Sequence, residues 1–319
     1  MAISISRRTC LVAGLALAGA TTTRGAVASH SMTLGFGTYG MKSLTTESAI
    51  KAIAEIGFDS IEITVNSGWD ADSSMLGKAR RAGLASQIQA SGLKLTSLME
   101  HVPPTSEKLQ RVALQRLRLA ADVAHDLAAD EPPLIQTVLG GGDFESTKQA
   151  LVDRLGKWVE LADATETVIA IKPHRGGAMS KPSQAVWLMN RLGDPARLRM
   201  VYDYSHYAFR DLDIESTVQA ALPSTAHIAV KDAVKDTATG RVRFALPGES
   251  GTVDYKRIFG LFKAGGYRGD VSCEVSGQVW SQKNYDPIAA ARRCYKNMAA
   301  AFESAGMTRP SLHGANKSR

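Results

Sequence analysis

VIAIKPHRGG, residues 168–177, reads as a short buried strand, Val168 to Ile171, that breaks off into Lys172, Pro173 and His174. An apolar strand in mid-chain that ends in an ammonium and an imidazole is a candidate rim of a functional site. Outward from it, apolar strands and amphipathic helices alternate along the chain. The other strands are TLGFGTY from Thr33, SIEITV (60–65), LKLTSL (93–98), LIQTVL (134–139), LRMVYD (198–203), TAHIAV (225–230) and DVSCEVS (270–276). The first helix takes Thr45 or Thr46 as its cap and stops at Gly57, and the second spans Asp72 to Ala90. A third starts near Ser106 with Leu109, Val112, Ala113, Leu117, Ala120 and Ala124 on its inner face. Helical patterns follow at 144–163, 183–192, 214–221 and 253–264, and Asp286-Pro287 opens the last one. Residues 231–246 read as a β-excursion, since Val242 and Phe244 alternate with Arg241 and Arg243.

Eight strands alternating with eight helices is the count of a (β/α)8 TIM barrel, placed at residues 29–306. Strands rich in Val, Ile and Leu without strict alternation fit a parallel sheet buried on both faces. A doubly wound sheet is the alternative, but no GxGxxG follows the first strand. At 319 residues, with 44% hydrophobic and 22% charged content, the chain has enough apolar residues for one full core.

Residues 1–28 have the parts of an export signal: Ser6-Arg7-Arg8, an apolar stretch from Cys10 to Ala20, and a small-x-small site at Ala26-Val27-Ala28. Paired arginines before a mild apolar run resemble a twin-arginine signal. This predicts an exported, periplasmic protein carried by the twin-arginine translocation machinery. The run is too short for a transmembrane helix, and no stable membrane anchor is expected. Setting aside Arg7, Arg8 and Arg24 lowers the formal charge from +7 to +4, with no dense basic run, so nucleic acid is not an expected partner. Of three cysteines, Cys10 lies in the leader, and Cys273 and Cys294 read as small buried thiols. Residues 307–319 read as a polar, disordered tail.

In a barrel of this kind, functional groups sit at the C-terminal ends of the strands. Those ends carry Glu62, then Glu100 and His101, then Gly140-Gly141-Gly142. Lys172 and His174 follow, then Asp203 and His206, Lys231 and Asp232, and Glu274. Ionisable groups are costly to crowd, so several at one mouth point to a site. Lys231 and Asp232 are expected to form a rim ion pair, with Lys231 also within reach of a substrate. Trp69 and Trp280 fall on strand-to-helix loops, where a sugar ring would stack on them or they simply pack the loops. The triple glycine is either a flexible turn or a phosphate cradle.

FDSIEI (58–63), VIAIKPHRGG (168–177), VYDYSH (201–206), HIAVKDA (227–233) and GDVSCEV (269–275) each match a segment of one family. By these motifs the chain resembles the xylose isomerase-like TIM-barrel superfamily of sugar-phosphate isomerases and epimerases. The resemblance implies a divalent metal held by a strand-five Glu, a strand-six Asp, a strand-seven His and a strand-eight Glu, the two glutamates moving a proton beside a carbonyl. Here Asp203 and Glu274 are the residual ligands, while Lys172 stands for the first glutamate and Ala229 for the histidine. Catalytic residues by this reading are Lys172, Glu274 and Asp203, and substrate contacts are Glu62, His101, His174, His206 and Lys231.

The expectation is a metal-independent isomerase or epimerase of a small carbohydrate or polyol, with the Lys172 ammonium in the cation's place. A Schiff-base role for Lys172 needs a lowered pKa, which two carboxylates oppose. The alternatives are a related lyase or dehydratase on a keto-sugar and a non-catalytic carbohydrate-binding barrel. Nuclease chemistry fits poorly, because it needs a histidine-rich multi-metal cluster.

Overall fold

The computed structural model describes residues 32–310 apart from residues 105 and 209. The export signal expected at 1–28 and the tail from 311 lie outside the described residues. The strands are β1 (Thr33–Gly37), β2 (Ser60–Thr64), β3 (Lys94–Met99), β4 (Leu134–Thr137), β5 (Ile169–Ile171), β6 (Leu198–Tyr202), β7 (Thr225–Val230), β8 (Asp232–Lys235), β9 (Val242–Ala245) and β10 (Asp270–Cys273). All but β8 and β9 close into a parallel barrel in the order β1-β10-β7-β6-β5-β4-β3-β2. β8 and β9 form an antiparallel hairpin after β7, where the β-excursion was expected.

The helices are α1 (Thr46–Ile56), α2 (Lys78–Ala90), α3 (Glu107–Leu127), α4 (Phe144–Ala164), α5 (Pro182–Arg191), α6 (Ser205–Ala208), α7 (Ile214–Ala221), α8 (Tyr255–Ala264), α9 (Gly277–Trp280) and α10 (Pro287–Ser304). Among the described residues no helix is long and apolar enough to cross a membrane. Side-chain caps set most of the helix starts: Thr45, Ser106, Asp143, Asp213, Asp254 and Asp286 each accept a first-turn N–H. Gly57 ends α1 at φ +103°, a left-handed conformation that favours glycine. The apolar core lies between strands and helices, and Cys273 and Cys294 are buried free thiols within it.

Two helices differ from the sequence pattern. α2 begins at Lys78 because Asp72 is drawn into a turn, accepting from Ser74 N at 3.0 Å and from Arg116 at 2.8 Å. On α3, Leu109 and Val112 face solvent, and the buried stripe is Gln110, Ala113, Leu117, Ala120 and Ala124. The stripe is shifted by one residue at its start, where Gln110 is buried and donates Nε2 to Arg154 O at 3.0 Å. The start of the expected polar tail is also docked: Arg309 donates to both Asp59 oxygens at 2.7 and 2.8 Å and to Gly57 O at 2.7 Å.

The barrel interior is polar. Glu62 on β2 accepts hydrogen bonds from Ser97 on β3 and Gln136 on β4, and His227 on β7 comes within 3.4 Å of the same oxygen. Contacts between such distant strands cross the barrel axis. β1 leaves room for them: a Cβ at Gly37 would lie 2.9 Å from Glu62 Oε1, and one at Gly35 would collide with Ser60 Oγ. A small apolar cluster of Ala170, Val201 and Ala229, from β5, β6 and β7, packs separately from the main core.

Candidate active site

The end of β5 carries Lys172, and Pro173 follows at once, with no N–H to continue the ladder. On β7, Lys231 follows His227 and Ala229 at a spacing of two, which places all three on one strand face. Asp203 and Glu274 lie one residue past β6 and β10. The four side chains form one buried quartet. Lys172 Nζ donates to Glu274 Oε2 at 2.5 Å and stands 3.7 Å from Asp203 Oδ2. Lys231 Nζ donates to Glu274 Oε1 at 2.7 Å and also to Asp203 Oδ2. Both lysines are only 2% exposed, so the quartet is close to charge-neutral out of water.

Ser205 completes Asp203, donating its hydroxyl to Oδ1 at 2.6 Å. Burial alone would raise the Asp203 carboxyl, but Lys231, His206 and Lys172 hold it well below the usual carboxylate range. Glu274 follows the same balance, with burial opposed and outweighed by Lys172 and Lys231. Burial lowers the Lys231 ammonium, and Asp203 and Glu274 more than restore it, so it stays protonated.

Histidines line the rim beside the quartet. His206 Nε2 stands 3.4 Å from Asp203 Oδ2, and its Nδ1 accepts from Arg175 N at 3.4 Å. Burial and Lys231 push its pKa down to about 4. The His174 ring is 4.1 Å from that of His206, and burial with His206 and Lys231 nearby pushes it down to about 2. His101 is pushed down to about 4 by burial and then by Lys172. All three are neutral imidazoles at neutral pH, suited to hydrogen-bonding a hydroxyl. Tyr39, whose hydroxyl is raised by burial and then by Glu274, joins this rim. Phe244 on β9 folds back over it, 5.3 Å from Lys231 Nζ and 5.5 Å from the His206 ring.

Lys172, Asp203, Glu274, Lys231, His174 and His206 thus meet at one place. Glu62 does not join them: it is 1% exposed and bonded to Ser97 and Gln136 in the barrel interior. The expected Lys231–Asp232 ion pair is absent. Successive strand residues face opposite ways, so Asp232 instead accepts from Gly248 N, Ser250 N and Tyr255 OH and holds the loop after β9. Trp69 offers no open stacking face, because Tyr39 stacks on it at 5.2 Å and Lys42 sits 3.9 Å over its ring. The triple glycine lies against the next loop, Gly140 O accepting from Ala178 N at 2.7 Å. The sequence reading missed the second ammonium in the quartet, although the alternation His227, Ala229, Lys231 signals it.

The metal implied by the resemblance does not fit this donor set. Ala229 has no donor atom, and two ammonium groups occupy the oxygens of Asp203 and Glu274 that would face a cation. Among the described residues no three His, Cys, Asp or Glu side chains are grouped to hold a metal.

The profile of the xylose isomerase-like TIM barrel family matches residues 50–298. The chain belongs to this family. A mouse protein named "Putative hydroxypyruvate isomerase" is 28% identical over 115 residues, covering 34% of this chain. That match spans 38% of the mouse protein's own length. The fold is similar to that of 3-keto-D-glucoside 4-epimerase from E. coli, with TM-score 0.65 and 15% identity over 85% of this chain and 99% of that one. A D-psicose 3-epimerase aligns with TM-score 0.67 and 13% identity over 86% of this chain and 100% of its own. The zinc-binding IOLI protein aligns with TM-score 0.70 and 18% identity over 85% and 98%.

Proposed function

We propose that this chain is an exported, periplasmic isomerase or epimerase of a small sugar or polyol, moving a proton beside a carbonyl without a metal ion. The observation that carries the reading is the Lys172–Glu274–Lys231–Asp203 quartet at the C-terminal ends of β5, β6, β7 and β10. A cation next to a carboxylate is the minimum equipment for enolisation. The names of the similar proteins, an isomerase and two epimerases, support the same class of reaction.

In the resting site Glu274 is a poor base, because two ammonium groups hold its charge. A bound α-hydroxycarbonyl changes that balance. Its carbonyl oxygen takes the Lys172 hydrogen bond, which releases Glu274 Oε2 and restores basicity where the proton must be taken. The C–H bond breaks, its proton moves to Glu274, and its electron pair forms the enediolate, whose oxyanion faces Lys172. Glu274 returns the proton to the neighbouring carbon while the enediolate's hydroxyl proton passes to the other oxygen, which gives isomerisation. Protonation of the first carbon from its opposite face by solvent, with Glu274 later losing its proton to solvent, gives epimerisation. His206 and His174, neutral and adjacent, hydrogen-bond the remaining hydroxyls.

The test is deuterium wash-in from heavy water into a panel of ketoses and keto-glycosides, using residues 29–319. The expected result is exchange at the carbon beside the carbonyl that survives EDTA and disappears in Glu274→Gln. Loss of exchange with EDTA, restored by zinc or manganese, would refute the metal-free chemistry. The mutual satisfaction of all four charges favours a second reading, a carbohydrate-binding barrel without turnover. Calorimetric sugar binding with no wash-in selects that one. For export, a reporter fused to residues 1–28 is expected in the periplasm, and retained inside when Arg7 and Arg8 are both changed to Lys.

A further inference from the structure

Two positions of the implied metal shell are altered, but a residue outside that shell occupies its centre. Asp203 and Glu274, the two ligands that remain, both accept from one nitrogen, Nζ of Lys231. Lys172 binds only Glu274, at its other oxygen, and stands 3.7 Å from Asp203. We propose that Lys231 is the built-in bridging cation of this site, holding Asp203 and Glu274 together as an ion would and competing with any divalent metal for them.

Three observations carry the inference. A cation shared by two carboxylates must sit where they converge, and among the described residues only Lys231 is within hydrogen-bond distance of both. Its stem starts from the same strand face as Ala229, whose short side chain packs with Ala170 and Val201 and has no donor atom where the resemblance expects a histidine. With Lys172 as the second cation, two unit charges supply what a divalent ion would supply, and the buried quartet closes near neutrality. Lys172, held by one hydrogen bond, is then the ammonium free to turn toward substrate, and Lys231 is the positioning residue that fixes both carboxylates. The inference refines the role of the site proposed above, but its tests read carboxylates and metal instead of turnover, so either can fail alone.

Carboxyl 13C spectra of protein labelled at Asp and Glu test the bridge. Lys231→Met is expected to move the signals of both Asp203 and Glu274, whereas Lys172→Met moves Glu274 and leaves Asp203 nearly in place. A Lys231→Met spectrum in which only one of the two moves overturns the proposal. Zinc titration tests the competition. Lys172→Glu/Ala229→His restores the implied ligands yet keeps Lys231, and is expected to bind zinc about 100-fold more weakly than the triple variant that adds Lys231→Met, since two charge-assisted hydrogen bonds must break first. Equal affinity in the double and triple variants overturns the competition. Should the triple variant fail to unfold cooperatively, the carboxyl spectra of the single variants decide the proposal.

Discussion

Lys231→Met removes one ammonium and keeps most of the stem that packs around it. Asp203 and Glu274 are then left with Lys172, which reaches Glu274 at 2.5 Å but remains 3.7 Å from Asp203. The quartet acquires a net negative charge where Asp203 is fully buried and its neighbours nearly so. Removing one partner of a buried pair typically costs about 3–5 kcal/mol, a large part of the 5–15 kcal/mol that holds a typical domain together. For a urea m-value of about 2–3 kcal/mol/M, the unfolding midpoint at pH 7 should fall by about 1–2 M. The sign of the pH dependence is a second readout. In the wild type both carboxyls are held low, so their contribution is present above the unfolded carboxylate range and is lost as pH falls. In the variant a carboxyl without its ammonium is raised by burial, and the folded chain binds a proton more tightly than the unfolded one. The deficit relative to wild type should therefore narrow as pH falls from 7 toward 4. Lys231→Met/Glu274→Gln, neutral again, should regain most of the loss. A midpoint within about 0.5 M of wild type, with the same pH slope, would refute a buried bridging lysine.

Other perturbations test other parts of the molecule. Arg116→Ala leaves buried Glu100 without its 2.7 Å partner and frees the Asp72 turn, and is expected to lower stability by about 3 kcal/mol in urea unfolding. His101, neutral down to about 4 in the fold, contributes stability that is complete above pH 6.5 and is lost as pH falls toward 4. With the residue as a whole half-buried, that share is discounted to roughly 2 kcal/mol, and His101→Gln should flatten the stability profile between pH 6.5 and 4 by that amount. Gly37→Ala brings a methyl to 2.9 Å from Glu62 Oε1, and thermal unfolding should show a loss of about 1–3 kcal/mol. Arg309→Ala strips the nearly buried Asp59 of its guanidinium and should cost about 2–3 kcal/mol in the same assay.

The barrel was legible because its strands and helices announce themselves by period and by cap, as Asp213 does for α7 and Asp286 for α10. Phase was harder to read than existence. At the start of α3 the buried position is Gln110 instead of Leu109, and its bond to Arg154 O is a tertiary contact that hydrophobicity cannot signal. The convergence of Lys172, Asp203 and Glu274 followed from their common place at strand ends. Glu62 looked the same in sequence but lies in the barrel interior, because the glycines of β1 make room there for its side chain. Lys231 and Asp232 looked like partners as neighbours in sequence, yet pleating sends them to opposite faces, one into the quartet and one to the loop after β9.

The closure of the barrel has a consequence for the order in which the chain is made. Thr33 on β1 meets Asp270 on β10 across 237 residues of sequence. At ribosomal rates of roughly 5–20 residues per second, β1 leaves the ribosome about 10–50 s before its second neighbour exists. During that interval its outer ladder of N–H and C=O groups is an open edge, the kind of surface that recruits other chains. The edge is five residues long and carries glycine at Gly35 and Gly37, so it offers a poor template for a stranger to pair with. The bareness that admits Glu62 in the finished barrel also protects the nascent one.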